Sequence, residues 1–189
     1  LQEHTLFPRA FKNLFGDDVF DDVDLAYLRM TQAIAAFERT EFFAPFDSKY
    51  DRYLEGQYQP TEQEELGMTL FFSEQFSNCN QCHQLKTFAE SRGETFTSYK
   101  YFNIGTPVNH QVRKANGLGG DHIDYGLLEN PVVSDTSQAG KFKTPTLRNV
   151  ALTAPYMHNG VFQDLKTVVQ FYNKYNVRGK AADMIPGTN

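Results

Sequence analysis

Cys79, Cys82 and His83 carry the most specific chemistry in this chain, in the run Cys79-Asn80-Gln81-Cys82-His83. Cys-x-x-Cys-His is the attachment signature of a c-type haem. Each thiol can add to one vinyl group of the porphyrin, and the adjacent imidazole then lies beneath the iron as proximal ligand. A short helical turn brings the two sulfurs to neighbouring vinyls and projects the imidazole towards the ring centre. Zinc and dithiol redox chemistry also use such a pair. A structural zinc site needs four protein ligands, and the chain holds only these two cysteines. A thioredoxin-like dithiol needs a βαβ context, which the flanking sequence does not offer.

The elements that must position this motif are helical. Thr61-x-x-Glu64 forms a capping box, and the helix that it opens is expected to run to about Phe76 and deliver the chain to Cys79. Pro8 to Phe15 reads as a short helix, with proline in the first turn and Gly16 at the stop. The acidic cluster Asp17, Asp18, Asp21, Asp22 and Asp24 offers capping side chains, and its spacing is not that of an EF-hand. From Val23 to Arg39, the residues Val23, Ala26, Tyr27, Met30, Ile34 and Phe37 recur at helical spacing and predict an amphipathic helix. Glu41 to Gln59 reads as a connector. Residues 93–140 are punctuated by Gly93, Gly105, Pro107, Gly117, Gly119, Gly120, Gly126, Pro131 and Gly140, and predict a long irregular loop around the haem edge. Asp164 is placed to cap a last helix from Leu165 to about Tyr175, with Leu165, Val168, Val169 and Tyr172 on one face. The expected fold is mainly α: a cytochrome c-like haem domain over residues 61–189 with long irregular loops, preceded by a helical linker over residues 1–60.

Composition agrees with this reading. The 189 residues are 40% hydrophobic and 22% charged, with a net charge of −5 that gives no footprint for nucleic acid. Seventeen Phe and ten Tyr suit a pocket around a flat apolar cofactor, although an ordinary core also uses them. No apolar run approaches the roughly 20 residues that span a bilayer, and residues 1–11 do not read as a signal peptide. Covalent c-type haem is attached outside the cytoplasm. The protein is therefore expected in the periplasm or another extracytoplasmic space, with this chain beginning downstream of its original N-terminus.

His83 fills one axial position of the iron. By chemistry alone, Met68, Met157, Met184, His110, His122, His158 and several tyrosines compete for the other. Methionine or histidine would make an electron-transfer centre, whereas an open position would admit peroxide or oxygen. Composition does not choose among them.

The stretch from Lys141 through Thr144-Pro145-Thr146-Leu147-Arg148-Asn149-Val150 to Pro155-Tyr156-Met157-His158-Asn159-Gly160 resembles the bacterial dihaem cytochrome c peroxidase family. Phe102-Asn103-Ile104-Gly105-Thr106-Pro107 and the Phe46-Asp47 to Tyr53-Leu54 stretch resemble it too, so that the likeness extends from about residue 5 to 180. It implies the C-terminal electron-relay haem module and its preceding linker, with a second, peroxidatic haem in an N-terminal module. The family's distal ligand for the relay haem falls here on Tyr172, where plain peroxidases carry methionine. Tyrosine there resembles the MauG branch, whose members oxidise tryptophan residues of a partner protein. A phenolate is a hard anionic donor that favours ferric iron, whereas methionine sulfur is soft. Free phenol has a pKa of about 10, so the iron itself must supply the deprotonation. From periodicity alone, Tyr172 reads first as a core tyrosine, and the family likeness reverses that order.

The same likeness implies a calcium ion between the haems, held partly by the backbone carbonyls of Thr153 and Pro155. It places His158 near that ion and the haem propionates; a surface turn histidine before Asn159-Gly160 is the other reading. Arg148 has two roles open to it, pairing a propionate through its guanidinium fork or capping a loop. The N-terminal haem motif, the tryptophan between the haems, the distal acid–base residues and the closing helix after Pro186 are missing. The implied function is storage or relay of oxidising equivalents from hydrogen peroxide, with Tyr172 tuning the iron. The implied partners are a missing haem module and a protein substrate or small redox donor. An ordinary dihaem peroxidase reducing peroxide to water and a monohaem electron carrier are the alternatives.

Overall fold

The computed structural model describes residues 6–85, 89 and 91–173, and the chain divides into two units, Leu1–Glu55 and Gly56–Asn189. Described elements are mainly helical, with one small sheet.

The first unit holds α1 (Phe7–Phe15), α2 (Val23–Glu38) and α3 (Lys49–Leu54). Proline stands in the first turn of α1, and Gly16 ends it at φ +102°, in the region that favours glycine. A side chain at Gly16 would also meet Asp18 at 2.8 Å. Asp22 caps α2 by accepting from the backbone N–H groups of Asp24 and Leu25. The acidic cluster therefore supplies a helix cap, as its composition predicts. Phe11 is buried against Phe15 and Phe20, with Val19. The apolar residues of α2 behave differently: Val23, Tyr27, Ile34 and Phe37 are all exposed. Ser48 and Asp51 form a capping box on α3, inside the segment read as a connector.

The second unit begins with α4 (Glu62–Phe72), opened by the expected Thr61–Glu64 capping box. The helix stops four residues short of Phe76. Ser73 turns extended, the Ser77 hydroxyl donates to the Leu70 carbonyl, and the Asn78 N–H donates to the Ser73 carbonyl. This turn, rather than a continuous helix, leads to the cysteine motif. Residues 93–140 are also more ordered than their glycines and prolines suggest. They contain β1 (Tyr101–Phe102), α5 (His110–Ala115) and 3-10 turns at Leu127–Glu129 and Thr136–Gln138. Asn109 caps α5.

Strand β1 pairs antiparallel with β2 (Phe142–Lys143), Tyr101 opposite Lys143 and Phe102 opposite Phe142. Gly126 lies against this pair at φ +54°, where a Cβ would meet the Lys141 carbonyl at 2.6 Å, so only glycine fits. Helix α6 (Leu165–Asn173) follows Asp164, whose carboxylate accepts from the Thr167 N–H at 2.8 Å. The buried face of α6 is not the expected one. Phe171 is fully buried, packed at 5.4 Å on Phe162, with Val168 beside it; Val169 is 67% and Tyr172 41% exposed. Consecutive helical residues are set about 100° apart, so burying Phe171 turns Tyr172 towards the edge of the core. Tyr175, Met184 and Pro186 lie outside the described residues.

Deleting the Phe171 ring should cost about 3–5 kcal/mol, as for other buried phenylalanines, read as a lower midpoint of urea unfolding in Phe171→Ala. The N–H and hydroxyl of Thr167 hold the Asp164 carboxyl below its ordinary 3.8. A depressed carboxyl stabilises the fold above its ordinary pKa, and that contribution is lost as pH falls through the lowered value. Asp164→Asn keeps a cap acceptor without the charge. Its acid unfolding curve should therefore be flatter below pH 3.8 than that of the parent protein.

Candidate haem-attachment site

The cysteine motif is a single tight turn. Asn78 enters it in the left-handed region at φ +54°, and Cys79–Gln81 form one 3-10 turn. The N–H groups of Cys82 and His83 both donate to the Cys79 carbonyl, at 3.3 and 2.9 Å. Both thiols are free and partly exposed, and burial, then Cys79, push the Cys82 thiol up. The Cys82 carbonyl accepts from the Ser98 N–H at 2.8 Å, which fastens the turn to the segment that follows.

That segment fixes the imidazole. His83 Nδ1 lies 3.0 Å from the Phe96 carbonyl, and a carbonyl can only accept, so the proton sits on Nδ1 and leaves the Nε2 lone pair for a metal. Burial pushes the His83 pKa down, while the Phe96 and Pro145 carbonyls pull it up; burial is the larger effect. Neutral imidazole is the ligating form. Two reachable thiols and an imidazole in the right tautomer fit a covalent haem. Zinc is less well served, because no group of three His, Cys, Asp or Glu side chains able to hold a metal occurs among the described residues.

Side-chain bonds tie Phe96 in place. Arg148 Nε donates to the Glu94 carbonyl at 2.7 Å, Thr146 Oγ1 to the Thr95 carbonyl at 2.6 Å, and Thr97 Oγ1 to the Thr144 carbonyl at 2.7 Å. Arg148 thus bonds a loop carbonyl, which is compatible with its loop-capping role. Phe96, Thr97, Thr144, Pro145 and Thr146 were not assigned these roles from the sequence, because each bond ends on a backbone oxygen, which leaves no residue-type signal.

His158 stands elsewhere, in a cavity of about 330 Å³ lined in part by Asn103, Thr106, Arg113, Asp124 and Phe142. Its ring stacks on Phe142 with centroids 3.5 Å apart, and Nε2 is 3.9 Å from the Asp124 carboxylate. Burial pushes its pKa down and Asp124 partly restores it. Its loop is held by an exchange of amides: Asn159 Nδ2 donates to the Pro107 carbonyl, and Asn109 Nδ2 to the Asn159 carbonyl. Thr153 and Pro155 are exposed in the turn preceding it. Tyr172 packs its ring edge-on against Phe171 at 5.3 Å.

No family model matches the chain. Among curated proteins, it is 47% identical over 188 residues to the methylamine utilization protein MauG of Paracoccus denitrificans, covering 100% of this chain and 48% of that protein. The chain belongs to the family of MauG and the dihaem cytochrome c peroxidases. The cytochrome-c peroxidase IdrP1 of a Pseudomonas species is 33% identical over 87% of this chain and 44% of its own length. The diheme peroxidase BthA of Burkholderia thailandensis superposes with a TM-score of 0.80 at 29% identity, over 98% of this chain and 46% of that one. The chain thus spans about half the length of these relatives.

Asp124 is the one influence that raises the His158 pKa, so Asp124→Asn should lower it further. Imidazole resonances followed by NMR across a pH titration would read the direction, and an upward shift would contradict the arrangement.

Proposed function

We propose that this chain is the C-terminal haem module, with its preceding linker, of a MauG-like dihaem peroxidase. In this reading it stores or relays oxidising equivalents derived from hydrogen peroxide for oxidation of a partner protein at tryptophan. The observation that carries the reading is the geometry at the motif: two free thiols on one turn beside an imidazole whose Nδ1 proton is committed to the Phe96 carbonyl. The 47% identity to MauG along the whole chain favours that branch over ordinary peroxidases. The exposed apolar residues of α2 suit a second module packed against them.

Each residue then has a task. Cys79 and Cys82 anchor the porphyrin covalently. Neutral His83 would hold the iron through Nε2, with its Nδ1 proton kept by the Phe96 carbonyl. Tyr172 would hold the iron as its second protein ligand, and the carbonyls of Thr153 and Pro155 would be this chain's share of a calcium site. His158 sits beside that site, next to Asp124. Bound haem would supply one-electron redox chemistry at a potential set by its axial ligands and their hydrogen bonds. The assembled enzyme would use hydrogen peroxide, with the second haem held by the other module, and would act in the periplasm. No described helix is long and apolar enough to cross a membrane.

Ordinary dihaem peroxidase activity is the second reading, favoured by the 33% identity to a named cytochrome-c peroxidase. Tyr172→Phe separates the two. Haem should remain on the Cys79–His83 peptide by mass spectrometry, while the absorption spectrum changes from low-spin to high-spin as a ligand is lost. An unchanged spectrum would remove Tyr172 from the iron and with it the case for the MauG branch. Cys79→Ala with Cys82→Ala should abolish covalent haem altogether.

A further inference from the structure

We propose that Arg148 is a positioning residue for the proximal ligand, acting on His83 through the Phe96 carbonyl and not through a haem carboxylate. The inference rests on the reading that haem is bound at Cys79–His83. It starts from the backbone of Phe96, which lies at φ +51°. A bulky residue in the left-handed region is strained and persists only where its surroundings over-determine it.

The surroundings are those of a clamp. The residue on each side of Phe96 is bonded to the 144–148 segment: the Thr95 carbonyl accepts from Thr146, and the Thr97 hydroxyl donates to the Thr144 carbonyl. Arg148 closes the clamp twice. Its Nε reaches the Glu94 carbonyl at 2.7 Å, and its guanidinium carbon lies 5.6 Å above the centre of the Phe96 ring. That is cation–π distance, so one side chain holds both the backbone before Phe96 and the Phe96 ring. The Arg148 N–H is itself anchored to Thr146 Oγ1 at 3.1 Å. The Pro145 carbonyl that also faces His83 belongs to this segment. Releasing Arg148 therefore lets the strained residue relax and moves the oxygen that holds the His83 Nδ1 proton.

The consequence is electronic. A hydrogen bond from Nδ1 to a carbonyl makes a ligating imidazole more basic and favours ferric over ferrous iron. Weakening it should raise the midpoint potential. Pairing of Arg148 with a haem propionate predicts the opposite sign, because removing a nearby positive charge favours the more positive ferric state. Lysine separates the two further. It keeps the charge but lacks the planar fork that bonds a carbonyl while stacking on a ring.

The test uses the haem-loaded full chain, with midpoint potential by spectroelectrochemical titration and low-spin g-values by EPR. Arg148→Leu and Arg148→Lys should both raise the potential, by the equivalent of about a tenfold shift towards the reduced form, or ~59 mV for one electron. Both should shift the g-values. Thr146→Val, which removes the bond to the Thr95 carbonyl and the acceptor of the Arg148 N–H but leaves the arginine side chain, should move both readouts the same way by less. It and the lysine variant carry the test if Arg148→Leu does not fold. A fall in potential on Arg148→Leu, its restoration by lysine, or unchanged potential and g-values in the folded variants would overturn the proposal. Mass spectrometry of the Cys79–His83 peptide in the parent protein keeps the premise separate. Absent haem there overturns the haem reading itself, whereas bound haem with unmoved potentials overturns only the role of Arg148.

Discussion

The second unit depends on the antiparallel alignment of residues 94–103 with residues 140–148. Three side-chain bonds join its outer end, and the Thr144 N–H donates to the Lys100 carbonyl. The β1–β2 pair continues it, and Asn103 closes it on the Ala139 carbonyl. Closing the intervening loop of about 40 residues costs roughly 3 kcal/mol in chain entropy. Three clamp bonds at about 1 kcal/mol each are of that size. The ladder and the apolar contacts can then contribute to net stability. Losing any one bond matters because the margin is small.

This alignment serves both ends of the unit. One end presents the Phe96 and Pro145 carbonyls to His83. The other carries Phe142, whose ring stacks on His158 at the cavity wall. Side-chain burial does less of the holding: in this unit, Phe162 and Phe171 are the buried hydrophobic residues among those described. Long-range bonds from Thr, Asn and Arg side chains to backbone oxygens supply the order that a larger apolar core would otherwise give. Such bonds fix direction as well as distance. A metal ligand needs that, since its lone pair must point at one place.

Much of this was legible in the sequence where a residue type has one strong use. The Thr61–Glu64 capping box, Asp22 and Asp164 as caps and the stop at Gly16 all depend on local chemistry. The misreadings have a common cause. Residues 93–140 look structureless because their order comes from bonds to a segment about fifty positions away, and α5 is too short to declare a period. Helix α4 ends early because Ser77 reaches back to Leu70, a competition that periodicity does not register. Arg148 announced a charge and a fork but not its acceptor, which is a main-chain oxygen.

Helix α6 shows why a one-residue error in phase matters. The apolar set Leu165, Val168, Val169 and Tyr172 is a plausible face, yet Phe171 is the residue that enters the core. Phe171 fixes the rotation and axial position of the helix through Phe162 and Val168. Tyr172, the next residue, is relieved of that duty. A position at the edge of the core can exchange tyrosine for methionine at less cost than a buried one, because less packed volume depends on it. The proposed division between MauG-like enzymes and plain peroxidases rests on such an exchange. The fold separates two duties along one helical turn: Phe171 holds α6 in place, and Tyr172, proposed above as an iron ligand, stands at the edge of the core.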